Sequence, residues 1–220
     1  MATILENFKY KEIELIKASN DILKGYGVLV KENYKDYPIE IVTWPKPDWR
    51  TVDKGTGNEG GTTEGIFQFE WKNNTLFGVN NAVNDKTDYS KNGIYTLGWN
   101  CNPNEINEKE ITPNNSRFFT WHANYHPDGG QLFFPLDRTP FVAPLALPGD
   151  NITLADFKAF YFDGSAGLYI HPGVWHEAVF PLVKKSRFFD KQGKVHARIS
   201  CDFAQEFNSY LAFPTNKIDL

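Results

Sequence analysis

An all-β-dominated chain, a barrel or sandwich with one or two short helices, is what this sequence predicts, and three observations carry that prediction. Aromatic residues make up 15% of the chain while Met occurs once. The core must therefore be assembled from Phe, Tyr, Trp, Leu, Ile and Val, side chains that suit a pleated, half-buried surface. Short apolar runs recur between Gly-, Pro- and Asn-rich breaks, the punctuation of many short strands. Only one segment carries a full helix-start signal. At 220 residues a single domain spanning residues 1–220 is expected, since all-β units reach this length undivided and no repeat or linker splits the chain.

Taken in order, Ser19-Asn20-Asp21 before Ile22-Leu23 caps a short helical turn stopped by Gly25, and Gly27 to Lys31 reads as a strand. A second strand is expected over Tyr37 to Thr43, after which Pro45 and Pro47 break the pattern. Lys54 to Gly65 is Gly- and Thr-rich and contains Gly55-Thr56-Gly57-Asn58-Glu59-Gly60, a formal match to the dinucleotide fingerprint. That fingerprint needs a helix after it, whereas Gly65 to Trp71 alternates like a strand, so the segment reads as a loop of the kind that often serves as a lid. Glu64 to Lys72 and Thr75 to Asn80 form a hairpin around Asn73-Asn74. Asn84 to Lys109 is a polar excursion around a Tyr95 to Trp99 strand.

Further strands are expected at Arg117 to His126, Gln131 to Leu136 and Pro140 to Leu147. The helix is placed at Leu154 to Phe162, with Thr153 as cap and Asp156 in a capping-box arrangement. Strands at Leu168 to His171, Glu177 to Val183 and Lys194 to Phe203 complete the chain, the last two joined across an Asp190 to Gly193 turn.

Net charge −4 without a basic run argues against nucleic-acid binding. Two cysteines, Cys101 and Cys201, have no CxxC spacing, so reduced thiols are expected. The N-terminus has no signal-peptide core and no stretch approaches a membrane span, which points to a cytoplasmic protein without membrane contact. The Asn-x-Ser/Thr triplets at Asn73, Asn114 and Asn151 are then chance.

Strand periodicity puts His122, Asn124 and His126 on one face of the Arg117 to His126 segment, opposite Phe119, Trp121, Ala123 and Tyr125. His122 and His126 at this spacing suit metal ligation, although barrel sites usually draw further ligands from other strands, and hydrogen-bonded structural histidines at a strand end are the competing reading, more for His122 than for His126. Gln131, across the Pro127 to Gly130 turn, would sit near His126 with an amide able to orient a carbonyl or carboxylate. The densest string is Gly167 to Glu177, where Pro172-Gly173 forces a bend that carries His171, His176 and Glu177, with Trp175 as an apolar wall. Two imidazoles and a carboxylate there suit proton transfer or metal binding.

Pro172-Gly173-Val174-Trp175-His176 resembles the second motif of the cupin superfamily. His126-Pro127, Gly130-Gln131, Phe134-Pro135-Leu136, Pro140-Phe141, Pro148-Gly149-Asp150, Leu154, Lys158-Ala159-Phe160 and Gly173 to His176 resemble the ureidoglycolate lyase family over roughly Tyr125 to Phe180. Asn124 stands where that family usually has an acidic residue, and Glu177 where a second His commonly follows. The resemblance implies a cupin-type barrel, a double-stranded β-helix, in a homodimeric lyase of allantoin degradation that acts on ureidoglycolate, a small anionic substrate.

On that reading His126, His171, His176 and Glu177 supply the acid and base. Gln131, Asn124, Trp175, Tyr169 and a cation chosen from Arg117, Arg138 and Arg198 contact the substrate. Two other readings compete: a dioxygenase or isomerase whose His122, His126 and His176 hold a divalent Zn, Mn or Fe, and a non-catalytic cupin that binds a small acid or sugar.

Overall fold

Asn73 and Asn74 both adopt positive φ, 49° and 59°, the conformation a two-residue hairpin needs and asparagine tolerates. They join the two strands read from the sequence. In the computed structural model, residues 2–43, 45–46, 48–57, 59–81, 94–106, 111–113 and 117–215 are described. Residues 84–93 and 107–109 of the expected polar excursion, and Asn58 of the Gly-rich segment, lie outside that set, as does Asn114.

The strands in chain order are β1 (Tyr10–Glu12), β2 (Leu15–Lys17), β3 (Gly27–Val30), β4 (Glu59–Lys72), β5 (Thr75–Asn80), β6 (Tyr95–Trp99), β7 (Arg117–Thr120), β8 (His122–Tyr125) and β9 (Gln131–Pro135). They continue as β10 (Phe141–Ala146), β11 (Lys158–Phe162), β12 (Gly167–Ile170), β13 (Trp175–His176), β14 (Phe180–Pro181), β15 (Lys185–Val195), β16 (Ile199–Asp202) and β17 (Tyr210–Pro214), with one short α-helix, α1 (Phe203–Phe207), before the last. Ten strands form one sheet in the order β1-β17-β7-β6-β5-β4-β15-β9-β12-β3, and seven form the other, β16-β8-β13-β10-β11-β2 with β14 also on β10. Pairing is antiparallel except for β1 on β17 and β2 on β11. The two sheets enclose an aromatic-rich core that includes Phe118, Phe133, Phe141, Phe160, Phe180, Phe188 and Phe213. The fold is thus all-β and cupin-like, as the sequence predicts. No described helix is long and apolar enough to cross a membrane.

Several expected elements differ, each for a physical reason. Thr153 and Asp156 do close a capping box, but around a single 3₁₀ turn, Leu154–Asp156. Phe157 is already extended, and Lys158 to Phe162 is strand β11 rather than helix. Ala159 through Phe162 are all buried, which suits a strand covered on both faces better than a helix with one apolar stripe. The Arg117 to His126 strand is broken at Trp121, where the chain passes from the ten-stranded sheet to the seven-stranded one. Tyr37 to Thr43 contributes one bridge, Ile41 to Gly129, and no strand. Glu177 to Val183 is strand only at Phe180–Pro181.

The largest revision concerns Asp190 to Gly193. These residues lie inside β15, all four paired with β4 and Asp190 to Gln192 also with β9, so ladder bonds outweigh a turn-like composition. Part of the Gly-rich segment, Glu59 to Gly65, is the matching end of β4. Thr56 and Gly57 of it strap the chain just before β16. Gly57 N–H donates to the His196 carbonyl (3.1 Å) and Arg198 N–H donates to Thr56 Oγ1 (3.0 Å).

Candidate active site

Between the sheets lies a cavity of about 60 Å³. The seven-stranded sheet and its flanks give it Asn124, His126, His176 and Glu177. The ten-stranded sheet gives Phe67, Asn80, Tyr95, Leu97, Gln131, Phe133 and Gln192, and the chain between β15 and β16 gives His196 and Arg198. The Pro172-Gly173 turn sets this up. Gly173 N–H donates to the His126 carbonyl (2.9 Å), and His176 stands directly opposite Asn124 in the β13–β8 register. A volume this size suits a ligand of few heavy atoms, well below the roughly 300–1,000 Å³ of drug-sized pockets. A larger hollow of about 820 Å³, lined by Gln68, Glu70, Asp137, Lys185 and Arg187 among others, holds no histidine. Four of its charged groups pair as Lys185–Glu70 and Arg187–Asp137.

His126 is fixed by Nδ1–H donating to the Ala197 carbonyl (3.0 Å), which leaves Nε2 with its lone pair. Complete burial, then the neighbouring His196 and His176, hold its pKa well below the ordinary value of 6.5, so it is a neutral imidazole at neutral pH. Its ring centroid lies 3.9 Å from that of His196 and 5.0 Å from that of His176. His176 is also depressed by burial. Its Nδ1 meets the Val174 carbonyl at 2.7 Å and its Nε2 the side-chain oxygen of Gln131 at 3.1 Å. Gln131 in turn donates to Asp190 Oδ1 (2.8 Å).

Glu177 is held by the Ala178 N–H (2.8 Å) and by His122 Nδ1 (2.7 Å). His122 is therefore the partner behind Glu177. Arg198, the third of the candidate cations, is the one at the cavity, its Nε donating to Asp53 Oδ2 (3.0 Å). Asn124 Oδ1 is buried and has no hydrogen-bond partner among the described residues. Such an acceptor is rarely left unsatisfied unless a ligand or water serves it.

Other residues singled out in the sequence stand elsewhere. His171 lies on the far side of the turn, beside Pro127, Pro148 and Gly173 in a separate hollow, with its ring edge-on to Tyr169. Tyr169 packs with Leu132 and Phe189 outside the cavity, and its hydroxyl accepts the Glu40 N–H (3.0 Å). Arg117 pairs with Glu12 and lies against Tyr10. Arg138 is an exposed turn residue with φ 49°. Trp175 is fully buried in the core and faces away from His176, because strand alternation sends neighbours to opposite sides.

As a metal site, His122, His126 and His176 do not fit. His122 Nδ1 faces Glu177 and both nitrogens of His176 already meet oxygens, so the three rings do not offer a shared set of open nitrogens. Among the described residues no group of three or more His, Cys, Asp or Glu is spaced to hold a metal ion.

Tyr169 also explains a glycine. A Cβ on Gly130 would meet its hydroxyl oxygen at 2.3 Å, so Gly130→Ala is expected to destabilise the protein by about 1–3 kcal/mol through overpacking. A urea midpoint equal to wild type would show that the tyrosine moves aside freely.

Asn80, Asp190, Gln192 and His196 were not singled out from the sequence. For Asp190 and Gln192 a signal existed. Phe188, Asp190 and Gln192 alternate with Phe189, Lys191 and Gly193, a period-two pattern that a turn-like composition masks. His196 is a lone histidine in an irregular segment, and nothing local distinguishes it.

Strands, cavity and buried imidazoles define a cupin-like barrel whose interior presents imidazoles, amides and one guanidinium to a small space. The family model described as ureidoglycolate lyase matches residues 87–205, more than half of the 220-residue chain. This chain belongs to the ureidoglycolate lyase family.

Curated relatives match a shorter segment. The ureidoglycolate lyase of Pseudomonas syringae pv. tomato is 39% identical over 70 residues, 31% of this chain and 41% of the relative. That of Pseudomonas fluorescens strain Pf0-1 is 38% identical over 71 residues, 31% of this chain and 42% of the relative. That of Stutzerimonas stutzeri is 37% identical over 70 residues, with 31% and 41% covered. The chain spans about two-fifths of the length of these relatives.

Proposed function

We propose that this chain is a carbon-nitrogen lyase that converts ureidoglycolate to glyoxylate and urea. The observation that carries the reading is a neutral, lone-pair-bearing His126 Nε2 at a cavity that also holds a guanidinium, in a member of this family.

The bond to be broken joins a urea nitrogen to a carbon that carries a hydroxyl and a carboxylate. His126 Nε2 takes the hydroxyl proton, the oxygen's electron pair forms the glyoxylate carbonyl, and the C–N electron pair leaves with the nitrogen. The proton on His126 is then returned to that nitrogen, which completes urea, and the imidazole is neutral again. A base of depressed pKa gives the proton up readily, as this return requires.

Arg198 offers its charge to the substrate carboxylate, with Asp53 fixing the guanidinium. Glu177, held by Ala178 and His122, presents remaining lone pairs to the urea N–H groups, and Asn124 Oδ1 accepts a further donor. His176 and Gln131 form the floor rather than the acid or base, since both nitrogens of His176 are engaged.

The test is direct. Incubation with ureidoglycolate should release glyoxylate and urea in equal amounts, and no release above the uncatalysed rate sinks the reading. Arg198→Lys keeps the charge but loses the planar fork, so KM is expected to rise about tenfold with a smaller change in kcat, the loss of roughly one charge-assisted hydrogen bond. An unchanged KM in the folded variant removes Arg198 from the substrate carboxylate.

A further inference from the structure

The hydrogen bonds along His176, Gln131 and Asp190 do not close with the ordinary protonation states. The Val174 carbonyl is an acceptor only and lies 2.7 Å from His176 Nδ1, so Nδ1 carries hydrogen. A neutral ring then has a lone pair at Nε2, which would face the Gln131 oxygen at 3.1 Å, acceptor against acceptor. An ionised Asp190 forces that orientation of the amide, because Gln131 must turn its NH₂ to Oδ1.

One additional proton resolves the conflict, and it has two possible seats. On His176, an imidazolium donates to the Gln131 oxygen. On Asp190, the carboxyl donates to the Gln131 oxygen after the amide turns over, and the amide NH₂ then donates to His176 Nε2. Amide orientation is assigned from such bonding and is free to take either form. Asp190 Oδ2 accepts from Asn80 (2.9 Å) and Gln192 (2.9 Å) in both cases.

We propose that Asp190 holds this proton in the resting protein and thereby acts as a positioning residue, setting Gln131 with its NH₂ toward a neutral, Nδ1-protonated His176. The alternative buries two opposite charges with an amide between them, and their attraction at that separation does not offset the loss of water around both. Asp190 is wholly buried and its partners are three neutral amides, with no cation among them. Burial already pushes its pKa up to about 6 with Gln131 donating to it; turning the amide over replaces that donor with an acceptor and raises it further. Around His176, burial opposes the charged ring most strongly and His122 adds to it, while the Val174 carbonyl and Glu177 favour it. Tyr95, His126, His196 and Arg198 are the other titratable or charged groups lining this cavity.

The proton at Asp190 is a property of the ligand-free chain, so its measurement stands whether or not ureidoglycolate is turned over; its value for catalysis rests on the lyase reading. Nitrogen-15 and carboxyl carbon-13 resonances of the full, ligand-free chain should show His176 neutral with hydrogen on Nδ1, and Asp190 protonated, at pH 7. Asp190→Asn mimics the protonated carboxyl, donating to Gln131 and accepting from Asn80 and Gln192, and should leave the His176 nitrogen pattern as in wild type. An imidazolium His176 with an ionised Asp190 overturns the proposal, and so does a neutral His176 with an ionised Asp190. If the variant does not fold, the wild-type resonances alone decide.

Discussion

On the proposed lyase mechanism, His126→Asn is expected to lower kcat for ureidoglycolate by about 10²–10⁴-fold, the usual range for loss of a positioned acid-base group. Asparagine can still donate an N–H toward the Ala197 carbonyl, so the fold keeps the bond that fixes position 126, while no lone pair of imidazole basicity remains. KM should move much less, because the proposed binding contacts belong to Arg198, Glu177 and Asn124. The wild-type pH profile carries the same argument with a sign. The base must be unprotonated, and burial with two neighbouring imidazoles lowers its pKa, so kcat/KM should begin to fall only below the ordinary 6.5 rather than at or above it. A variant with kcat within threefold of wild type, or an acidic limb centred above pH 7, removes His126 as the base.

That His126 lines the candidate site is legible because two signals coincide, a period-two strand and a Pro-Gly turn across from it. The same alternation that places Asn124 and His126 toward the cavity also places Tyr125 toward Asp150, to which its hydroxyl donates at 2.7 Å. The contributions from Asn80, Asp190 and Gln192 come from strands distant in sequence, and only pairing register brings them together with Gln131. Gln192 is aligned with Gln131 across β15 and β9. No local pattern encodes a cross-sheet register, which is set by the summed burial of aromatic faces along β4, β15 and β9.

Local chemistry also misled where a tertiary demand opposed it. Thr153 and Asp156 specify a helix start and do form one, yet the five residues after Phe157 are needed between β10 and β2, and the helix stops after one turn. Asp190 to Gly193 has turn composition, but each flank of that segment is claimed by a neighbouring strand. The choice among Arg117, Arg138 and Arg198 was open for a related reason. An arginine's reach tells nothing of its direction until its carboxylate partner is known: Glu12 draws Arg117 to the β1 edge, whereas Asp53, itself bonded by Ser200 Oγ at 2.6 Å, holds Arg198 at the cavity.

Trp175→Ala is expected to cost about 3–5 kcal/mol, the range for removing a buried aromatic from a packed core, and to leave the folded fraction's kinetics within about twofold of wild type, far below a catalytic-group effect. The indole is fully buried. It donates Nε1–H to the Gly149 carbonyl (2.8 Å), meets Tyr125 edge-on at 4.7 Å and carries the Arg50 guanidinium 5.3 Å from its ring centre. Arg50 in turn binds Asp150 and forms a two-pronged pair with Glu206, so the tryptophan is the apolar support of a partly buried ionic cluster. Removing it leaves a cavity beneath that cluster. A loss of this size is a large share of the roughly 5–15 kcal/mol that holds a domain folded. Trp175→Phe keeps most of the volume but drops the bond to Gly149 and should cost about 1–2 kcal/mol. Because Trp175 and His176 point to opposite faces of β13, neither change reaches His126 or Glu177. Denaturation and steady-state kinetics on the two variants decide the matter together. Near-normal melting with impaired turnover in Trp175→Phe would place the indole at the cavity wall after all, whereas lost stability with intact kinetics assigns it to the core.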